Sequence, residues 1–202
     1  MNFNNIEYTT SFGTEKQITP STKPEIVFSG RSNVGKSSLM NKLFNRKSLV
    51  RVSAKPGKTV TINFFSGDGV WFVDLPGYGY AQTSFGEKQR WSRLMEAYFG
   101  SARAIALVVQ ILDVRHAPSA QDMEMLQFLQ QSEIPFVIIL TKCDKLKPTE
   151  RKKREAALAE DLAAFPDAPR VFFSAENGEG VPALKEVIEQ AAQTAQKEGA
   201  ES

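Results

Sequence analysis

Gly30-Arg31-Ser32-Asn33-Val34-Gly35-Lys36-Ser37-Ser38 sets a glycine at each end of a short loop and follows the second with a lysine and hydroxyls. That spacing suits a polyphosphate. The glycines let the chain turn tightly and aim backbone N–H groups at phosphate oxygens; Lys36 adds a point charge for the β- and γ-phosphates, and the Ser37 hydroxyl is of the kind that ligates Mg²⁺. An apolar run, Ile26-Val27-Phe28, enters the loop, and a helical pattern with Leu39, Met40 and Leu43 leaves it. The phosphate then lies at a helix N-terminus, where unpaired N–H groups and the dipole favour an anion. A chance match in a Gly/Ser-rich turn is the weaker reading, given strand before and helix after.

Asp74-Leu75-Pro76-Gly77 follows the apolar run Val70-Trp71-Phe72-Val73. A carboxylate at the end of a buried strand is the second anchor a Mg²⁺–triphosphate site needs. Gly77 can present its N–H to the γ-phosphate with no side chain in the way. Alone, the segment reads equally well as an Asp-Pro-Gly turn. Thr141-Lys142-Cys143-Asp144 then closes the run Phe136-Val137-Ile138-Ile139-Leu140. The Asp144 carboxylate can accept two hydrogen bonds from guanine, at N1–H and the 2-amino group. Adenine has neither donor and would leave a buried carboxylate unpaired, which discriminates strongly. The Lys142 stem can lie along the base. Ser174-Ala175, after Val171-Phe172-Phe173, offers the Ala175 N–H to the guanine 6-oxo group.

These segments meet only if strands carry them to a common edge. The coarse order is strand, helix, strand, strand, helix, and then strand alternating with helix to the C-terminus. Thr61–Phe65 and Val70–Val73 are joined by Ser66-Gly67-Asp68-Gly69, a hairpin signal. The later strands are continuous β-rich apolar runs separated by helices, the pattern of a mostly parallel sheet covered on both faces. Six strands are expected, the hairpin supplying one antiparallel edge strand. Asn45 to Val60 has little apolar periodicity and carries Pro56-Gly57, so it reads as a loop.

The chain at this point resembles a small Ras-like GTPase, and more closely the EngB family of ribosome-biogenesis GTPases, within the TrmE-Era-EngA-EngB-septin class. The residues that carry the resemblance are Gly30–Ser38, Ser53-Ala54-Lys55-Pro56-Gly57-Lys58-Thr59, Ile62-Asn63-Phe64-Phe65, Phe72 through Ala81, Asp113-Val114-Arg115-His116-Ala117-Pro118-Ser119 and Thr141–Asp144. It spans about residues 8 to 192, read as a single α/β G domain of the P-loop NTPase fold, with 1–7 and 193–202 as flexible termini. Thr141 stands where a generic GTPase more often has Asn.

The resemblance implies GTP and GDP as ligands, Mg²⁺ as cofactor, and hydrolysis of GTP to GDP and phosphate. Beyond the segments already read, it extends the nucleotide site to Pro56, Gly57, Lys58 and Thr59. Phosphoryl transfer needs countercharge, a held metal and an oriented water around the γ-phosphate. Lys36 supplies charge, Ser37 and Asp74 hold the metal, and Thr59 is the switch threonine expected to close on Mg²⁺ and γ-phosphate, with Thr61 as runner-up. Tyr78 follows Gly77 where many GTPases carry Gln. A phenol does not orient water as a carboxamide does, so intrinsic turnover is expected to be slow. Asn33 offers help: in related GTPases an Asn here ligates K⁺ beside the phosphates. The alternative is that Asn33 only favours the tight loop.

Net charge is +2, yet the chain is polarised. From Ile26 to Gly67 there is no carboxylate but eight cations: Arg31, Lys36, Lys42, Arg46, Lys47, Arg51, Lys55 and Lys58. The remainder holds 17 cations and all 23 carboxylates. Some of this serves the nucleotide; the rest suits an anionic partner reached near the first switch. Ribosomal RNA of the large subunit fits the family resemblance, which implies an assembly factor needed for growth, division and septation. A protein-effector switch without RNA contact is the alternative. Arg151-Lys152-Lys153-Arg154 is a second basic run, read as a solvated helix face, and the lone His116 reads as a turn residue.

At 202 residues with 42% apolar content, one domain with a substantial core is expected. The single Cys143 cannot form an internal disulfide, so a reducing, cytoplasmic setting is expected. No apolar run approaches the roughly 18 residues of a membrane span, and no signal-peptide pattern opens the chain. A monomer without membrane contact is expected.

Overall fold

The computed structural model describes residues 1–50, 60–79 and 84–201. Seven strands form one sheet: β1 (Glu7–Phe12), β2 (Ser21–Gly30), β3 (Ile62–Gly67), β4 (Val70–Asp74), β5 (Arg103–Asp113), β6 (Phe136–Thr141) and β7 (Arg170–Phe173). They lie side by side in the order β1-β3-β4-β2-β5-β6-β7. From β4 to β7 every pairing is parallel, and β3 runs antiparallel to both β1 and β4. The five helices are α1 (Lys36–Leu43), α2 (Phe85–Gly100), α3 (Ala120–Gln131), α4 (Pro148–Asp161) and α5 (Val181–Glu201).

The architecture is the expected one with a strand added. β1 pairs outside β3, making seven strands rather than six. Its sequence, Glu-Tyr-Thr-Thr-Ser-Phe, has β-forming residues but lacks the apolar density of the inner strands, because an edge strand has little to bury.

Alternation explains the layering, since successive strand side chains point to opposite faces. Leu107, Val109 and Ile111 of β5, with Val137 and Ile139 of β6, pack toward Leu39, Leu43, Leu184 and Ile188 of α1 and α5. On the other face Val27, Val73 and Val108 meet Leu94, Met95 and Tyr98 of α2 and Leu129 of α3. Leu112, Ile138 and Leu140 meet Leu126 of α3, Leu158 of α4 and Leu162 just past the end of α4.

The segment 1–7 is packed, contrary to the expectation that it would be frayed. Phe3 is 3% exposed and Ile6 is fully buried. Both join the α1–α5 side of the core, and the Met1 ammonium reaches Glu189 of α5 at 3.0 Å. Two large apolar side chains among polar neighbours are enough to anchor so short a segment. At the other end α5 carries its helix through 193–201.

Candidate functional site

The chemistry gathers at the carboxyl ends of the parallel strands, where open α/β sheets bind ligands. β2 ends at Gly30, β4 at Asp74, β5 at Asp113 and β6 at Thr141, and Ser174 follows β7 directly. Register fixes these neighbours: Phe28 pairs with Asp74, and Asp113 with Thr141. A buried polar group also exists away from this edge. Glu25, fully buried, receives Tyr98 Oη at 2.6 Å and Arg103 Nε at 2.9 Å. It is satisfied and closed to solvent, so it holds the sheet rather than a ligand.

Between β2 and α1 the phosphate loop takes the shape its glycines allow. Gly35 caps α1 at φ +101°, a left-handed conformation glycine adopts without strain. Asn33 sits at φ +62°, within the range Asn tolerates. Its side-chain type therefore suits the tight loop by itself. Ser32 N–H donates to the Tyr78 carbonyl at 2.8 Å, which ties the loop to the segment after β4. The Ser32 hydroxyl is buried without a partner among the described residues. An orphaned donor inside a loop shaped for phosphate fits an oxyanion ligand.

One cleft of about 1600 Å³ is lined by Ser32, Asn33, Gly35 and Lys36 through Ser38, by Asp74 through Gly79, and by Thr61 and Lys142. Lys36 and Asp74 are ion-paired inside it, nearly buried, and Asn63 Nδ2 donates to the second Asp74 oxygen at 3.2 Å. Paired charges compensate each other's desolvation. The same two groups are those expected to serve a triphosphate as charge and metal ligand, and Ser37 lies on the first turn of α1 and lines the same cleft. Thr61 Oγ1 bonds Asn63 Oδ1 at 3.2 Å. Thr59, with Pro56, Gly57 and Lys58, lies outside the described residues.

The residues expected to read the base form a second group. Asp144 and Ser174 meet at 2.7 Å, hydroxyl to carboxylate, and Lys145 reaches the other Asp144 oxygen at 3.1 Å. The Ser174 hydrogen bond, opposed by burial, keeps the Asp144 carboxyl below its ordinary value. Ser174 Oγ also accepts from the N–H groups of Glu176 and Asn177, each at 3.2 Å, so the turn holding Ala175 is wound around it. Asp144, Ser174 and Ala175 do not line the large cleft; Lys142 links the two groups. Its ammonium donates to the Asn33 carbonyl at 2.7 Å and pairs with Asp113 at 2.9 Å. Burial would raise the Asp113 carboxyl, but hydrogen bonds from Arg115 and Lys142 outweigh it and hold it well below the carboxylate range.

Thr141, the departure from the commoner Asn, is buried with its hydroxyl 2.6 Å from the Val34 carbonyl and 3.0 Å from the Leu112 carbonyl. It joins the ends of β5 and β6 to the phosphate loop. Cys143 is buried, and burial together with Glu179 pushes its thiol up to about 11, which leaves little thiolate for alkylation. In the basic run of α4, Arg151 pairs with Glu155 and Glu179, and Arg154 donates to the Val114 and His116 carbonyls. Half of that run is thus structural, while Lys152 and Lys153 remain exposed. His116 closes a turn on Asp113 as expected.

Sequence reasoning passed over Asn63, Gln110 and Asp122 as site residues. The first two had a visible signal: each is a polar residue inside an apolar strand. Asp122, in the first turn of α3, had none beyond a capping pattern with Ser119.

Comparison with known proteins points the same way. A family model described as 50S ribosome-binding GTPase matches residues 25–142, more than half the chain. A probable GTP-binding protein EngB from an Exiguobacterium species is 45% identical over 181 residues, covering 89% of this chain and 92% of that protein. The protein of the same name from Geobacillus kaustophilus is 43% identical over 182 residues, covering 89% and 93%. The crystal structure of a probable GTP-binding protein engB superposes with a TM-score of 0.68 at 26% identity, over 84% of this chain and 99% of that one.

Proposed function

The chain belongs to the EngB family of GTP-binding GTPases, and from that premise we propose that it is a nucleotide-switched assembly factor for the large ribosomal subunit, needed for normal growth and division. One observation carries the ribosomal part. Arg46 and Lys47, both exposed, line the same cleft as Lys36, Asp74 and Gly77. An RNA backbone bound there would touch the nucleotide site's own rim, so its affinity would depend on the nucleotide present. The family model's description, 50S ribosome-binding GTPase, agrees in partner.

In this reading the phosphate loop's N–H groups and the Ser32 hydroxyl receive the β-phosphate. Lys36 turns from Asp74 to the β- and γ-phosphates, and the freed Asp74 carboxylate, the Ser37 hydroxyl and Thr59 would hold Mg²⁺. A Mg²⁺ held there would supply countercharge for the transferred phosphoryl group. Gly77 N–H meets the γ-phosphate. Asp144 reads the guanine N1–H and 2-amino group, and Ala175 N–H its 6-oxo group. The Tyr78 hydroxyl points into the protein, toward Asp122, so it positions no water and intrinsic hydrolysis is slow. Asn33 is the proposed side chain for K⁺ beside the phosphates.

Co-sedimentation with purified large ribosomal subunits tests the proposal. Association should be stronger with a non-hydrolysable GTP analogue than with GDP, and should fall steeply with salt as phosphate contacts release counterions. The double variant R46A/K47A should weaken it and flatten the salt slope. Association that is equal in both nucleotide states and indifferent to the double variant would favour the protein-effector reading.

A further inference from the structure

Pro76-Gly77-Tyr78 is held from three sides among the described residues. Trp91 Nε1 of α2 donates to the Pro76 carbonyl at 3.0 Å. Ser32 N–H of the phosphate loop donates to the Tyr78 carbonyl at 2.8 Å. The Tyr78 phenol, only 6% exposed, donates to Asp122 Oδ1 at 2.8 Å and accepts from Gln110 Nε2 at 2.6 Å. The other Asp122 oxygen accepts from the Ser119 N–H at 2.8 Å and the Ser119 hydroxyl at 2.7 Å. Both oxygens are therefore used, as a 3% exposed carboxylate requires.

The fit at Gly77 is close. A Cβ there would stand 2.9 Å from Ser32 Oγ and 3.1 Å from Ser32 N, inside contact distance on a backbone atom. The glycine lies against the phosphate loop, and the carbonyl after it is bonded to that loop. Each anchor belongs to a different element: Gln110 to β5, Asp122 to α3, Trp91 to α2 and Ser32 to the phosphate loop.

We propose that Asp122 and Gln110, acting through the Tyr78 phenol, are positioning residues that preset the Gly77 N–H for the γ-phosphate and couple its occupancy to the N-terminus of α3. Gly77 is the group that meets the nucleotide; Asp122 and Gln110 act only through Tyr78. Two of these anchors are satisfied by buried side chains rather than by solvent, so the backbone between Pro76 and Tyr78 has one arrangement before the nucleotide enters. A γ-phosphate that pulls on Gly77 must then also load the Tyr78–Asp122 bond and the cap of α3. The inference rests on the GTPase reading of Gly77.

The test compares dissociation constants for a non-hydrolysable GTP analogue and for GDP in Y78F, D122N and D122A. GDP has no γ-phosphate and makes no demand on Gly77. The analogue should therefore weaken by about fivefold or more, the usual scale of a coupling between sites, while GDP changes little. D122N, which keeps a polar partner for the phenol, should fall between the parent and D122A. A purely structural role predicts otherwise: both nucleotides weaken in parallel, and that result, or no change in either, overturns the proposal. If D122A does not fold, Y78F decides, because it removes a single oxygen. G77A is measured alongside. If its GTP-to-GDP ratio is unmoved, the γ-phosphate assignment itself is wrong and the clamp falls with it; if G77A shifts the ratio while Y78F and D122N do not, the clamp alone is wrong.

Discussion

Asp144 shows how one side chain's surroundings set its chemistry. The Ser174 hydroxyl donates to it, and that bond favours the charged form, holding the carboxyl below its ordinary value. A depressed value in the fold contributes stability above the unfolded value and loses it as pH falls through the folded one. The guanine contact proposed for Asp144 needs the same ionised form, so nucleotide affinity should persist into acid solution and fail only as pH drops through that depressed value. Ser174→Ala should move the failure to higher pH, read from a pH titration of GDP binding. Asp144→Asn should shift preference from guanine toward xanthine, whose 2-oxo group accepts where the amino group donated; unchanged guanine preference in a competition assay would refute the role. Lys145 is no obstacle, being a largely exposed partner whose pairing contributes little.

Among the elements, Thr141 matters more than its size suggests. Its one hydroxyl, at the end of β6, stands within reach of carbonyls on the phosphate loop and at the end of β5. Thr141→Val keeps the shape and removes the donor, leaving a buried carbonyl without it. The expected cost is about 1–3 kcal/mol in urea unfolding, with weaker binding of GTP and GDP alike because the phosphate loop loses a tether. Thr141→Ser should recover most of both. A valine variant with unaltered stability and affinity would show that the contact is incidental. The residue reads from sequence as a departure from Asn; that it ties strand to loop depended on which carbonyls came near it.

For the whole molecule, the N-terminal segment closes the α1–α5 side of the core. Phe3 packs on Phe72 with ring centroids 6.2 Å apart, and Ile6 is fully buried. Phe3→Ala and Ile6→Ala should each cost about 2–5 kcal/mol, the usual range for large buried side chains cut to alanine, measured by urea unfolding of the full chain. Values within a few tenths of the parent would mean the segment is loosely held. Charge belongs to this scale too: Arg46 and Lys47 line the cleft that holds Lys36 and Asp74, whereas Arg151 and Arg154 are drawn into contacts within the chain. Among the described residues, no helix is long and apolar enough to cross a membrane.

The sequence by itself determined the glycine and lysine spacing, the strand-terminal carboxylates and the periodicity of the inner strands. Each is a local property, fixed by backbone freedom, by chemical type and by burial on both faces, so the fold class and the triphosphate chemistry could be read directly. The tertiary structure alone decided the rest. Glu7–Phe12 became a strand only because β3 presented a free edge to pair with. Phe3 and Ile6 were buried only because α5 and the sheet left a space for them. Tyr78 turned its hydroxyl inward only because Asp122 and Gln110, distant in sequence, placed an acceptor and a donor there. Contacts between residues far apart in the chain leave no spacing to read, and their energies exist only after the sheet has brought the partners together.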